Sequence, residues 1–178
     1  MGATAVGWTV RCKTPEVNQV QIIVNCFTPY GDGFVMLQKP RRGWWVLPGG
    51  KVDAAEIWPD AAKREMMEEA GLVVDHLVLH GIYHLHIAAS DTEAAKDRLI
   101  VQFSADCVGG ELLESCKEGK LSVIRPGELN DLPMDEGDRL MVRRTLEQVA
   151  SGVHQVSFGR FSYDADHRLL EWTMSPGA

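Results

Sequence analysis

Four glutamates crowd one short stretch of the chain, Gly50 to Leu72, which reads GKVDAAEIWPDAAKREMMEEAGL: Glu56, Glu65, Glu68 and Glu69. A helix turns once in about 3.6 residues, so Glu65 projects on the same side as Glu68 and Glu69. Three like charges side by side repel, and helix propensity gives no reason to place them so. One reading is a solvated acidic face. The other is a divalent cation: hard ions such as Mg2+ take oxygen ligands, keep several waters, and are held by a few carboxylates together with substrate phosphates. Arg64 stands beside the cluster and can fix a carboxylate through a bidentate pair. Ala62, Met66 and Ala70 recur at helical spacing on the opposite side, the stripe expected to pack on a sheet. Gly71 supplies the left-handed stop.

The spacing itself is specific. The stretch resembles the Nudix box: a glycine, five residues, Glu, seven residues, Arg-Glu, an apolar residue, any residue, Glu-Glu, any residue, Gly and an apolar residue, filled here by Gly50, Glu56, Arg64, Glu65, Met66, Glu68, Glu69, Gly71 and Leu72. Two neighbours depart from the common form. Ala55 stands where a glycine usually precedes the first Glu, and Ile57 and Trp58 stand where a Ser or Thr often caps the helix. Neither departure removes a ligand.

The resemblance implies an α/β fold, an α/β/α sandwich with a mixed β-sheet, and a site built on Glu65, Glu68 and Glu69. It adds a backbone carbonyl from the Pro48-Gly49-Gly50 turn to the metal ligands, assigned to Gly50 with Gly49 as the alternative. Glu56 is then a positioning residue that orients Arg64. Lys117, Glu118 and Gly119 resemble the loop of MutT-type members whose glutamate completes the metal site or serves as base. Glu118 takes that role here, with Glu114 behind it, against the plain reading of a solvated loop carboxylate. A short Pro-containing loop in such enzymes offers an Asn or Asp to the purine. Asp135 matches it, with Glu136 behind, and a helix N-terminal acid is the competing reading. The implied catalytic set is Arg64, Glu65, Glu68, Glu69 and Glu118, with Mg2+ or Mn2+ as cofactor.

These residues need elements to hold them. Gln19–Phe27 is a nearly continuous apolar, β-branched run, a central strand. PYGDG turns it into a hairpin with Phe34–Gln38. Lys39, Arg41, Arg42 and Lys51 flank the glycine turn and make the densest basic cluster of the chain. Lys39, Arg42 and Lys51 are the candidates for phosphate, with a solvated loop as the alternative. Trp44 and Trp45 alternate across a strand, leaving core packing or base stacking open. Val73–Ala88 reads as strand with a break near Gly81. His84 and His86 share a face there, but no Cys or carboxylate stands in matching register, so they and His76 and His80 read as surface or packing residues. Arg98–Cys107 is a further strand, Leu121–Ile124 another, and a helix spans about Asp138–Ser151. Gln155–Tyr163 and Arg168–Met174 form a closing hairpin, a feature shared with the MutT-type, 8-oxo-dGTP diphosphatase-like Nudix proteins of bacilli.

The 178 residues suit one domain, read as residues 19–176 with the Nudix box at 50–72 and an accessory arm at 1–18. Eighteen Lys plus Arg against 25 Asp plus Glu give a net charge of -7, which argues against binding DNA duplex or anionic membrane through a basic surface. Cys12, Cys26, Cys107 and Cys116 lack metal-site spacing, and with no apolar run long enough for a span the expectation is a cytoplasmic protein, monomer or homodimer. The implied function is cleavage of a nucleoside triphosphate, including the oxidised 8-oxo-dGTP, to monophosphate and pyrophosphate. ADP-ribose, a nucleotide sugar, a dinucleoside polyphosphate or an RNA 5′ end are the alternative substrates. A nucleotide-binding module without turnover is the remote one.

Overall fold

Alternation along the first strand divides the molecule into layers. The computed structural model of the chain describes residues 20–176, so the arm expected at 1–18 lies outside the described residues. Strand β1 (Gln21–Phe27) sends Val24 and Cys26 to one face and Ile23 and Asn25 to the other, as a two-residue period requires. It lies between β7 (Lys96–Gly110), to which it is parallel, and the short β5 (Gly49–Lys51), to which it is antiparallel. The sheet continues from β7 to β6 (Leu72–Ile87) and then to β10 (Ser157–Tyr163) and β11 (Leu169–Ser175), in the order β11-β10-β6-β7-β1-β5. Because β10 runs parallel to β6, the sheet is mixed.

A smaller sheet contains β2 (Pro29–Tyr30), β3 (Gly33–Gln38), β8 (Ser115–Cys116) and β9 (Gly119–Ile124), with β4 (Trp45–Val46) added beside β3. The hairpin expected between Gln19–Phe27 and Phe34–Gln38 does not form. The chain leaves the large sheet at Thr28, whose carbonyl accepts from the Val35 amide, and β3 pairs with β2 and β9 instead. Both strands have buried faces to satisfy, and two sheets offer more apolar partners than one hairpin.

Helix α1 (Trp58–Glu65) covers one face of the large sheet and α2 (Glu136–Ser151) the other. Ala62, Met66 and Ala70 are buried against Val24, Val101 and Phe103, as their spacing predicts. Met141 of α2 packs among Tyr83, Leu85, Ile100 and Phe161. Burying Met66 or Met141 contributes roughly 1.5–3 kcal/mol each, and the alanines less, by leaving water. Gln102 ties sheet to helix, donating from Nε2 to the Met141 carbonyl at 3.0 Å and to Thr145 Oγ1 at 2.6 Å.

The region around Gly81 is one strand with bulges rather than two strands with a break: β6 shifts register between Leu79 and Gly81 and continues to Ile87. That pairing also corrects the reading of the histidines. Asp97 of β7 stands opposite His86, and its Oδ1 meets His84 Nε2 at 3.0 Å and His86 Nδ1 at 2.9 Å, so a carboxylate is in register after all. Among the described residues no helix is long and apolar enough to cross a membrane.

Candidate active site

The glycine turn is shaped by what lies against it. A Cβ on Gly50 would meet the Glu65 carboxylate at 2.3 Å, so that carboxylate rests on the bare backbone of the turn. Gly49 has φ +158, close to fully extended, and its constraint is space: a Cβ there would meet the Val24 carbonyl at 2.1 Å. Helix α1 begins with Ile57 at the cap position and no side-chain cap, as the missing Ser or Thr leads one to expect, with Pro59 in its first turn. Its last turn widens into a π-helical segment, Met66–Ala70, closed by Gly71 at φ 71.

Neighbours in a helix point about 100° apart, and the two glutamates of this segment differ accordingly. Glu68 stays in water with a side chain 59% exposed, whereas Glu69 turns inward and is 4% exposed. Glu69 Oε2 accepts from the Gly49 amide at 2.8 Å, and Oε1 lies 3.3 Å from Lys39 Nζ. Burial nevertheless pushes Glu69 up to about 7, because Lys39 and one amide do not replace the lost water. Lys39 also bonds Glu118, and that contact holds the Glu118 carboxyl below the usual range. Glu118 is on the tight β8–β9 turn, 57% exposed.

Arg64 collects the other carboxylates. Its Nε and Nη2 donate to Glu56 Oε1 and Oε2, both at 2.9 Å, and Nη1 donates to Glu65 Oε1 at 2.7 Å and Glu68 Oε2 at 3.4 Å. The Arg64 bonds, joined by the Asp53 amide, hold Glu56 down at about 2. Nη2 also reaches the Lys51 carbonyl at 3.1 Å, which locks the helix to the glycine turn.

Glu65, Glu68, Glu69 and Glu118 line one acidic cleft, together with Leu113, Cys116 and Lys117. Among the described residues no three His, Cys, Asp or Glu side chains converge as a metal cage. The carboxylates are shared instead between two resident cations, Arg64 and Lys39. The donor set still fits a hard divalent ion: all its ligand atoms are oxygens, Gly50 puts no side chain in the way, and the buried Glu69 has too little positive charge beside it. Lys39 Nζ, held between Glu69 and Glu118, marks where cationic charge is accepted.

Lys39 and Gly49 join this cleft to a second one of about 360 Å³. Its floor is the sheet, with Ile23, Asn25, Ile100 and Leu85, and its walls carry Arg42, Trp44, Asp135 and Tyr163. The Arg42 guanidinium lies 4.7 Å over the Trp44 ring, while Trp45 packs into the core. Asp135 caps α2: Oδ1 accepts from the Gly137 amide at 2.9 Å and the Asp138 amide at 3.3 Å, and Tyr163 Oη donates to it at 2.7 Å. It is thus both the helix N-terminal acid and a wall of the cleft. Lys51 is elsewhere, at the β5 edge beside Asp53, Glu56 and Trp58, so the phosphate candidates part: Lys39 and Arg42 stand in the cleft and Lys51 does not. Glu136 and Glu114 line neither cleft. Arg98, Asp138, Tyr163 and His167 also line the larger one, and no local pattern in the sequence marks them.

The family model for the NUDIX domain matches residues 20–145. The Nudix hydrolase YvcI of Bacillus subtilis is 32% identical over 157 residues, covering 88% of this chain and 96% of its own. The chain belongs to the Nudix hydrolase family. A putative 8-oxo-dGTP diphosphatase 2 of Mycobacterium tuberculosis is 33% identical to this Nudix hydrolase over 142 residues, 76% of this chain and 96% of its own. The crystal structure of a MutT protein from Bacillus halodurans superposes with a TM-score of 0.79 at 34% identity, covering 89% of this chain and 100% of the other. Nudix hydrolases act on small nucleotide substrates and generally need a divalent metal.

Proposed function

We propose that this Nudix hydrolase is a pyrophosphohydrolase that cuts a purine nucleoside triphosphate, oxidised guanine nucleotides included, to the monophosphate and pyrophosphate. The observation that carries the reading is Lys39, whose ammonium is shared by Glu69 and Glu118 where the acidic cleft opens into the larger one. Phosphates lying across that junction would meet Lys39 and Arg42 on one side and the carboxylates that would hold the cation on the other, with the nucleoside in the larger cleft.

The residues that would hold Mg2+ or Mn2+ are Glu65, Glu68, Glu69 and Glu118, with the Gly50 carbonyl. When bound, the ion neutralises phosphate oxygens and makes a water acidic enough to act as nucleophile. Phosphoryl transfer then needs positioning more than covalent help. A bond forms from the water oxygen to phosphorus as the bond from phosphorus to the bridging oxygen breaks, and pyrophosphate departs with that electron pair. Glu118, exposed on its turn, accepts the water proton at a carboxylate oxygen. Glu65 is the rival base, its Oε1 held by Arg64 as a Glu118 oxygen is held by Lys39. Trp44 under the Arg42 guanidinium, and Asp135 across the cleft, supply a stacking face and an acceptor for the base.

The test is a Mg2+-dependent hydrolysis panel of 8-oxo-dGTP, dGTP, the other nucleoside triphosphates, ADP-ribose and a nucleotide sugar, resolving pyrophosphate from phosphate. Pyrophosphate released from the triphosphates supports the reading. Turnover confined to ADP-ribose or the sugar nucleotide overturns it.

A further inference from the structure

The floor of the larger cleft is apolar along Ile23, Leu85, Ile87 and Ile100, and it turns polar at Asn25. Asn25 belongs to β1, where a two-residue period puts Ile23 and Phe27 on the same face, so an amide stands between two hydrocarbon side chains of an inner strand. Asn is depleted in such strands, and a half-buried amide without partners costs free energy. Among the described residues the Asn25 side chain has no hydrogen-bond partner, while the groups beside it, the Gly49 amide and the Gln102 NH2, are bonded elsewhere.

Those two neighbours decide which atom of the amide is left for a ligand. In register, Asn25 lies between Gly49 of β5 and Gln102 of β7. Its Oδ1 is on the Gly49 side, where a Cβ would meet it at 2.8 Å. The Gly49 amide does not serve it, because that N–H donates to Glu69. On the other side Gln102 is fully buried, gives its Nε2 protons to the Met141 carbonyl and Thr145, and keeps Oε1 as a buried acceptor without a donor. Its partner on β6 is Gly81, which has no side chain to offer. Adjacent strands are about 4.8 Å apart, and an orphaned buried acceptor is expensive, so the Asn25 NH2 group is the donor that register assigns to Gln102. Oδ1 is then what Asn25 keeps for the cleft. A phosphate oxygen, itself an acceptor, is no partner for it, whereas a hydroxyl is.

The position of Asn25 along β1 says which hydroxyl. Gly49, its register partner, holds Glu69, and Lys39 joins Glu69 where the two clefts meet. With the phosphates at that junction, the next group of a nucleotide is the ribose. We propose that Asn25 reads the sugar of the substrate, its Oδ1 accepting a hydrogen bond from a ribose hydroxyl while its NH2 group is turned to Gln102. The assignment rests on the proposed triphosphate cleavage and adds sugar selection to it. It leaves the base to Trp44 and Asp135 and makes Gln102 the residue that orients Asn25.

kcat/KM is measured on the full chain with Mg2+ for GTP, 2′-deoxy-GTP and 3′-deoxy-GTP. Removing the hydroxyl that Asn25 holds is expected to lower kcat/KM about tenfold, chiefly through KM, the scale of one hydrogen bond whose acceptor is left unpaired. The two deoxynucleotides tell the 2′ from the 3′ hydroxyl. Asn25→Leu, close in volume and without an acceptor, is expected to bring the ratio between GTP and that deoxynucleotide to about one. Asn25→Val, β-branched as a strand prefers, reads the same ratio should the leucine variant misfold. Equal kcat/KM for all three nucleotides overturns the assignment. So does a ratio that survives in both variants, which would leave Asn25 as a partner of Gln102 alone. Failure to cut any of the three overturns the proposed hydrolysis instead. The sugar site is then read by equilibrium binding, with GMP bound about tenfold more tightly than 2′-deoxy-GMP or 3′-deoxy-GMP if Oδ1 holds a hydroxyl, and all three equally if it does not.

Discussion

The carboxylate of Glu65 lies on the backbone of Gly50, close enough that a Cβ would stand 2.3 Å from Oε1. A glutamate brought in by a helix thereby meets the bare backbone of the turn, with Arg64 holding its Oε1. Gly50→Ala must push Glu65 off that backbone. Turnover is expected to fall about 100-fold or more, since a displacement near 1 Å at a reacting centre costs that much. Thermal unfolding, followed alongside, should move little, because Gly50 has an ordinary backbone conformation and the added methyl strains one side chain rather than the core. An active Gly50→Ala enzyme would detach the turn from the chemistry.

Glu68 and Glu69 differ in environment but converge on the same proposed ion. Replacing either with Gln keeps its shape and removes its charge, so kcat is expected to drop by about 100-fold or more, as for loss of a group that stabilises transition-state charge. Chelation with EDTA should abolish wild-type turnover and added Mg2+ restore it. Glu56→Gln should be milder, about tenfold, since Glu56 acts through Arg64. A higher concentration of Mg2+ should recover part of the Glu56→Gln loss, which a purely structural defect would not allow. Wild-type-like kinetics in Glu69→Gln would remove the buried carboxylate from the ion site.

What the sequence made legible, and what it hid, follows from range. Glu65, Glu68, Glu69, Arg64 and Gly50 lie within one turn and one helix, so spacing alone placed them together. Arg98, Asp138, Tyr163 and His167 reach the larger cleft through pairings that no local pattern reveals, chiefly β7 parallel to β1 and β10 parallel to β6. The same limit misled the reading of His84 and His86, whose carboxylate partner Asp97 is supplied by the neighbouring strand. Lys51 is close to the basic cluster in sequence, yet β5 carries it to the sheet's edge. The Thr28 crossover between sheets was hidden because a turn-rich PYGDG segment looks alike whether it closes a hairpin or changes sheet.

One departure from the common box is itself testable. Ala55 occupies the position where a glycine usually precedes Glu56, and its φ is 65, in the left-handed region where a side chain is strained. Ala55→Gly should therefore stabilise the fold, by about 0.5–1 kcal/mol after the extra chain entropy of glycine is subtracted. Chemical denaturation reads this directly, with kcat unchanged. A loss of stability would mean that the loop before Glu56 relaxes away from that conformation.

Asp135 serves two masters, the cap of α2 and the wall of the larger cleft, and Asn separates them. Asp135→Asn retains an oxygen to accept from the Gly137 and Asp138 amides, so the cap and the melting temperature should be nearly preserved, whereas Asp135→Ala should cost about 1 kcal/mol. If the carboxylate also binds the purine, Asp135→Asn raises KM for a purine triphosphate about tenfold or more with little change in kcat. An unaltered KM would leave Asp135 as a cap alone.

Asp138 next to it predicts how the free protein responds to pH. Burial, reinforced by the Asp135 charge, raises Asp138 from 3.8 to about 7. The folded state therefore keeps a proton that the unfolded chain has released once pH exceeds about 4, so this group makes stability fall as pH rises from about 4 to about 7, and level off above. The contribution is on the order of 3 kcal/mol across that window. Asp138→Asn has no proton to lose, so its unfolding free energy should exceed that of the wild type by a margin that grows from pH 4 to pH 7 and is flat beyond. Denaturant melts of both proteins at matched ionic strength, without nucleotide or metal, give that difference curve. A flat curve throughout would place water or a cation beside Asp138 in solution, because only added solvation could return its carboxyl to the ordinary range.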